Sequence, residues 1–159
     1  MALMDAKEYD PRPAQKRRKI IATVVVAVLA IAVYLYLTRF DSEKKVINKF
    51  FQAIEQKDYD TAYGIYYADP DWKQHPEKYN AYTINQFKLD WGPSGEYGTI
   101  TSHQIDCALE PPKKGFKSPT GVIIVVIINN LHDTRSMWVE KKSKTITDSP
   151  MKVLCHGQQ

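Results

Sequence analysis

Cysteine, glycine and histidine are all scarce in this chain, and each scarcity removes a class of function. Two cysteines among 159 residues exclude a disulfide-dense scaffold, in which cysteine exceeds about 8% of positions. Seven glycines exclude a collagen-like repeat. The four histidines, His75, His103, His132 and His156, are scattered, and Cys107 and Cys155 stand far apart, so no zinc-type ligand spacing exists. There is no internal repeat, phosphate-binding loop, dinucleotide fingerprint or nucleophile elbow, and no cofactor is expected. A charged fraction of 25% and a hydrophobic fraction of 43% are ordinary for a folded domain, and the length accommodates one.

The most informative absence is local. Ile20 to Leu37 reads IIATVVVAVLAIAVYLYL and contains no charged residue. Eighteen residues at about 1.5 Å per residue make a helix of about 27 Å, close to the hydrocarbon thickness of a bilayer. The Val and Ile content does not argue against a helix, because in lipid a spanning segment must satisfy its own backbone groups. Tyr34 and Tyr36 fall near the far end, where amphipathic rings favour the interface. Two other readings exist: a signal peptide cleaved near Ala30-Ile31-Ala32, and a buried core helix. The first is weakened by the apolar run continuing to Leu37, the second by the lack of a polar face.

Charge is distributed to match. Residues 1–19 carry six basic and three acidic residues, whereas residues 38–159 carry sixteen and fifteen. The formal net charge of +4 therefore belongs mainly to the leading tail, and the near-neutral body excludes nucleic acid as a partner. Lys16, Arg17, Arg18 and Lys19 abut the apolar run, while Arg39, Lys44 and Lys45 beyond it are diluted by Asp41 and Glu43. The positive-inside rule places the N-terminus in the cytoplasm and the body on the extracytoplasmic, periplasmic side of a cell (inner) membrane. The expected organisation is a basic cytoplasmic tail over 1–19, unstructured around Pro11 and Pro13, a transmembrane helix over 20–37, a linker over 38–41 and a domain over 42–156.

Within that domain, Val46, Ile47, Phe50, Phe51 and Ile54 predict an amphipathic helix over about 42–56. Lys57-Asp58-Tyr59-Asp60 breaks it and caps a second helix that ends by Asp69-Pro70. A third helix is expected from Pro76 to about Asp90, stopped by Gly92-Pro93-Ser94-Gly95. The period then changes. Tyr97 to Leu109 alternates like a half-buried strand, with Cys107 on the face of His103 and Ile105, and Ile100 on the polar side suggests a bulge. Val122 to Ile128 is an unbroken apolar, β-branched run, the pattern of a strand covered on both faces. Ser136 to Lys142 and Thr145 to Leu154 complete four antiparallel strands, with Pro150 marking an edge or bulge. The expected class is α+β, with three helices packed on a curved four-stranded antiparallel sheet.

The stretch VINKFFQAIEQKDYDTAYGIYYAD resembles the opening of the nuclear transport factor 2-like superfamily. There an apolar first helix leads into a Lys/Gln-Asp-Tyr/Trp-x-x-Ala-Tyr/Trp turn, matched here by Lys57-Asp58-Tyr59-Asp60-Thr61-Ala62-Tyr63. The order of elements agrees over about 42–154, and only the first third matches in sequence detail. The resemblance implies a cone, in which a bent sheet wraps the helices and leaves a cavity at its open end. Membrane-anchored relatives share the layout of tail, span and single domain, among them inner-membrane assembly subunits of type IV secretion systems. Enzymatic relatives similar to ketosteroid isomerase use a buried carboxylate and hydrogen-bond donors, and dehydratase-like ones a His/Asp pair.

Candidates for such chemistry are His103, Asp106 and His132, with Tyr63 or Tyr66 as donor, although His103 and Asp106 face opposite ways unless a bulge intervenes. The more informative feature is the density of aromatic residues between 59 and 91. Tyr63, Tyr66, Tyr67, Trp72, Phe87 and Trp91 either fill the core or line a pocket or partner surface. Cys107 and Cys155 either pair, if their Cα atoms come to about 5.5 Å, or remain one buried and one free thiol. Lys113, Lys114 and Lys117 form a basic loop that a solvated hairpin tip explains as well as a contact with anionic lipid. The expected function is that of a membrane-anchored, non-catalytic binding or assembly module, an accessory subunit contacting the bilayer and other membrane proteins. The alternative is an anchored binder of a small apolar ligand, or an isomerase- or dehydratase-like enzyme using the cavity.

Overall fold

The computed structural model describes residues 12–111, 120–131, 134–153 and 155. The chain divides into two compact units, residues 1–39 and 40–159. In the first, α1 (Arg12–Thr38) carries the apolar run. Its large side chains are all open to the surroundings, from Val25 at 50% to Leu37 at 67%. Its two threonine hydroxyls are satisfied internally, Thr23 donating to the Lys19 carbonyl at 3.0 Å and Thr38 to that of Tyr34 at 2.9 Å, the usual return bond of a helical threonine. The helix begins eight residues before the expected start of the span and includes Lys16, Arg17, Arg18 and Lys19, which corrects the expectation of an unstructured tail for 12–19. Proline is tolerated in a first helical turn, where Pro13 lies, and Lys and Arg are good helix formers.

The second unit is α+β. Helix α2 (Asp41–Glu55) buries Ile47, Phe50, Phe51 and Ile54, the i, i+3, i+4, i+7 stripe of a core-facing helix. The following turn follows from its residues one by one. Lys57 adopts φ 60° and ends the helix, its N–H bonding the Ile54 carbonyl at 2.9 Å. Asp58 then caps α3 (Tyr59–Tyr67) by accepting from the Thr61 N–H at 3.1 Å. Ala62 and Tyr63 enter the core at 0% and 1% exposure.

The third predicted helix is divided. Trp72–Gln74 and Pro76–Tyr79 form short 3₁₀ turns, and a separate α4 spans Ile84–Trp91. A continuous helix would need the Tyr82 carbonyl for the Gln86 N–H. That carbonyl instead accepts the Tyr63 hydroxyl at 2.7 Å, while Thr83 and Gln86 close a capping box that starts α4 afresh.

Strands β1 (His103–Leu109), β2 (Gly121–Ile128), β3 (Thr134–Glu140) and β4 (Ile146–Asp148) form an open antiparallel sheet in the order β1-β2-β3-β4. The first strand is shorter than expected. The Asn129 side chain holds the stretch before it, accepting from the Thr101 N–H at 2.8 Å and donating to the Tyr97 and Thr99 carbonyls at 3.2 and 3.0 Å. A bulge between Ile105 and Cys107 then reverses the alternation. Ile105 packs with the helices on the inner face, whereas Cys107 and Leu109 turn to the outer face, which corrects the expectation that Cys107 shares a side with Ile105.

β2 is covered twice. Val122, Ile124, Val126 and Ile128 meet Phe50, Phe51, Tyr63, Phe87 and Trp91 on the inner face, while Ile123 and Val125 meet Trp138, Met151, Val153 and Cys155 on the outer. The C-terminal segment provides that outer cover. Beyond Asp148 it leaves the ladder, because Pro150 supplies no donor, so the expected strand stops early; its expected end, Leu154, lies outside the described residues. The hydroxyl of Ser136 recaptures the segment by accepting from the Val153 N–H at 3.2 Å. Cys155 then joins Cys107 in a disulfide with a Cα separation of 6.0 Å. Glu43 of α2, 4% exposed, is held by Lys144 at 2.5 Å. Burial alone would raise its pKa, but the hydrogen bonds from Lys144 and Ser42 outweigh this and lower it.

The disulfide closes a loop of 48 positions, for which chain-entropy arguments give a stabilisation of about 4 kcal/mol. Replacing both cysteines by serine is expected to lower the urea midpoint accordingly. An unchanged midpoint would show that the outer strap contributes nothing.

Candidate functional site

The last turns of α3 and α4 converge on the end of the sheet where β3 begins. Between them lies a cleft of about 750 Å³. Helix α3 contributes Tyr66 and Tyr67, and α4 contributes Leu89, Asp90 and Trp91, with Tyr82 just before it. The turn after α4 adds Glu96 and Tyr97, β3 adds Arg135, and β4 adds Thr147 and Asp148. Gly95 permits the turn's close return, since a Cβ there would lie 1.9 Å from the Asp90 carbonyl oxygen. Asn129 fixes its far end through the Tyr97 carbonyl.

Arg135 organises the polar side. It donates to Asp148 Oδ1 through Nε at 3.1 Å and Nη2 at 2.6 Å, and to Glu96 through Nη1 at 2.9 Å. Its guanidinium lies 5.7 Å from the Trp91 ring and 6.0 Å from that of Tyr97. Burial works to lower its pKa, but the Asp148 pairing prevails and the charge is held more firmly than in a free arginine. The Tyr82 hydroxyl donates to Asp90 at 2.7 Å. Burial first and this carboxylate second raise the pKa of Tyr82. Tyr66 is pushed up to about 12 by burial and then by the Asp148 charge. Three carboxylates thus face one guanidinium, beside four tyrosines and a tryptophan.

Of the aromatic residues singled out in the sequence, Tyr66, Tyr67 and Trp91 line this cleft. Tyr63 and Phe87 lie behind it in the core at 1% and 0% exposure. Trp72 donates to the Asp60 carbonyl at 3.1 Å and lines a separate groove with Ile65 and Pro70. Tyr82 belongs to the same aromatic stretch and lines the cleft as well, whereas Tyr97, Arg135 and the three carboxylates were missed by sequence reasoning. Their signal exists only once the turn after α4 and the β3–β4 pairing place them together.

His103 and Asp106 do not form a pair. His103 Nδ1 lies 2.7 Å from Glu55 and Nε2 3.1 Å from Asn48, and its ring stacks on Phe51 at 5.1 Å. Asp106 is exposed at the bulge, and neither residue lines the cleft. His75 pairs with Asp69 at 2.5 Å. Among the described residues no group of three or more His, Cys, Asp or Glu side chains could hold a metal ion. His132, His156, Lys113, Lys114 and Lys117 lie outside the described residues.

Comparison with protein-family models, with curated proteins and with solved structures returns no match to this chain.

Two measurements check the site's construction. Tyr63, raised to about 12 by burial and its neighbour Tyr67, and Tyr66, raised equally, ionise above the ordinary value of about 10. Their contribution is fully present below about pH 10 and is lost as pH rises through 12, since the unfolded chain releases those protons first. Ultraviolet titration should therefore show tyrosines ionising late and together with unfolding. If every tyrosine ionised near pH 10 in the folded protein, the described burial would be wrong. Asn129 has φ 52°, so Asn129→Gly keeps the backbone free while removing the side-chain bonds. Both Asn129→Gly and Asn129→Ala are expected to destabilise, by about 1–3 kcal/mol, with alanine worse because of its strain. A neutral glycine variant would mean that only the backbone angle matters.

Proposed function

We propose that the chain is a single-pass membrane protein whose α+β domain serves as a binding and assembly module, an accessory part of a larger membrane complex. The observation that carries this reading is the exposed apolar helix in one chain with a separately folded domain. One helix near the N-terminus is long and apolar enough to cross a membrane. Lys16 to Lys19 at its near end favour a cytoplasmic N-terminus, which would hold the domain on the periplasmic side of an inner membrane. The Cys107–Cys155 disulfide supports that side, since such bonds persist in oxidising compartments. The order of helices followed by an antiparallel meander is compatible with the cone of the nuclear transport factor 2-like superfamily, the architecture that we assign to the domain. Tethering confines the domain to the membrane surface and raises its effective concentration for partners there.

The cleft favours a second reading, an anchored small-ligand binder, because a concave site of this size lined by aromatic rings and a few convergent polar groups is the usual form of one.

The full chain is expected to remain with membranes through an alkaline carbonate wash and to co-purify with other membrane proteins in mild detergent. Release by carbonate would remove the tethering reading. Purification as a lone monomer whose melting temperature rises with a small ligand would favour the second reading over assembly.

A further inference from the structure

The cleft between α3, α4 and the β3–β4 edge has a consistent electrostatic sign. Asp90, Glu96 and Asp148 carry three negative charges against the single charge of Arg135. The helices that reach it, α3 ending at Tyr67 and α4 at Trp91, do so through their C-terminal turns, the negative end of the helix dipole. The rings of Tyr66 and Tyr82, 5.9 Å apart and tilted by 49°, add π-faces that attract cations.

The cleft already holds a cation of its own. Arg135 sits on Trp91 and Tyr97 with its nitrogens directed to Asp148 and Glu96. Those two carboxylates engage three of the five N–H groups of Arg135 and balance its charge, so it is poorly placed to receive an anionic ligand. Asp90, on α4, accepts from Tyr82 and keeps acceptor capacity for a second cation, since a carboxylate has about four lone-pair sites. Leu89 beside it is 62% exposed and offers apolar contact to a ligand's stem.

From this arrangement we propose that the cleft binds a small organic ammonium ion on a short apolar stem, held between Asp90 and the Tyr66 and Tyr82 rings. The charge satisfies the excess of carboxylates, and the stem packs on Leu89. This assignment rests on reading the domain as a binding module and is independent of its membrane location.

The test uses the full chain in detergent micelles, titrated with choline, with its neutral isostere 3,3-dimethylbutan-1-ol and with the anionic 3,3-dimethylbutanoate, followed by calorimetry and Trp fluorescence. Choline is expected to bind about tenfold more tightly than the neutral isostere, with no binding of the anion, given the worth of cation–π contacts and an adjacent carboxylate. Asp90→Asn, which retains an acceptor for the Tyr82 hydroxyl, should abolish that tenfold preference with an unchanged melting temperature. Tyr66→Leu should also reduce it, and Tyr66→Phe should preserve it. Equal binding of choline and the alcohol, preference for the anion, no binding by any of the three, or a full preference surviving Asp90→Asn would each overturn the proposal. If choline fails while the chain still co-purifies with membrane proteins, the ligand assignment falls and the assembly reading stands. If choline binds a chain released by carbonate, the reverse holds.

Discussion

Strand β2 is the constraint around which the domain is built. Its run from Val122 to Val126 is fully buried, and a β-branched, apolar strand of this kind is stable only when both of its faces are covered. Helices α2, α3 and α4 cover one face with aromatic side chains. The other would be left open to water by a simple layer of helices on a sheet, and the C-terminal segment crosses it instead. Pairing on both sides, with β1 and β3, removes the remaining exposed backbone groups.

The outer cover depends on a single extra residue. Without the bulge at Asp106, Cys107 would follow Ile105 toward the helices and could not meet Cys155. With it, the strand delivers Ile105 to one core and Cys107 to the other, and the disulfide fastens the strap where the ladder has ended. The same economy of position shapes the cleft. Tyr63 takes the Tyr82 carbonyl, which interrupts the third helix. The interruption places Tyr82 at the cleft's rim and lets Thr83 start α4 at the angle that brings Asp90 and Trp91 to the same site.

The sequence was legible where one local pattern dominated. The charge-free run, the stripe of Ile47, Phe50, Phe51 and Ile54, the Lys57-Asp58 turn and the doubly covered strand all follow from periodicity or capping chemistry, and the structure has each of them. Reading failed where a distant group decided the outcome. The division of the third helix depends on a hydroxyl nineteen positions earlier, and the return of the segment after Pro150 depends on Ser136. The side of Cys107 depends on a bulge at Asp106, six positions beyond the Ile100 that suggested one. For the cleft, aromatic density identified Tyr66, Tyr67 and Trp91, but nothing local marks Arg135, because its partners Glu96 and Asp148 are brought to it by the turn after α4 and by the sheet.

The chain carries two separate features: a helix long and apolar enough to cross a membrane, and a domain whose open cleft holds three carboxylates against one guanidinium. The proposed function requires the domain to stand on the extracytoplasmic side of the membrane, the side that the positive-inside rule favours. Glu77 is exposed on a 3₁₀ turn, and the native cysteines are paired, so Glu77→Cys provides a unique reactive thiol. In intact cells, or in spheroplasts where an outer membrane is present, an impermeant maleimide should label this variant fully. Labelling only after lysis would contradict the account.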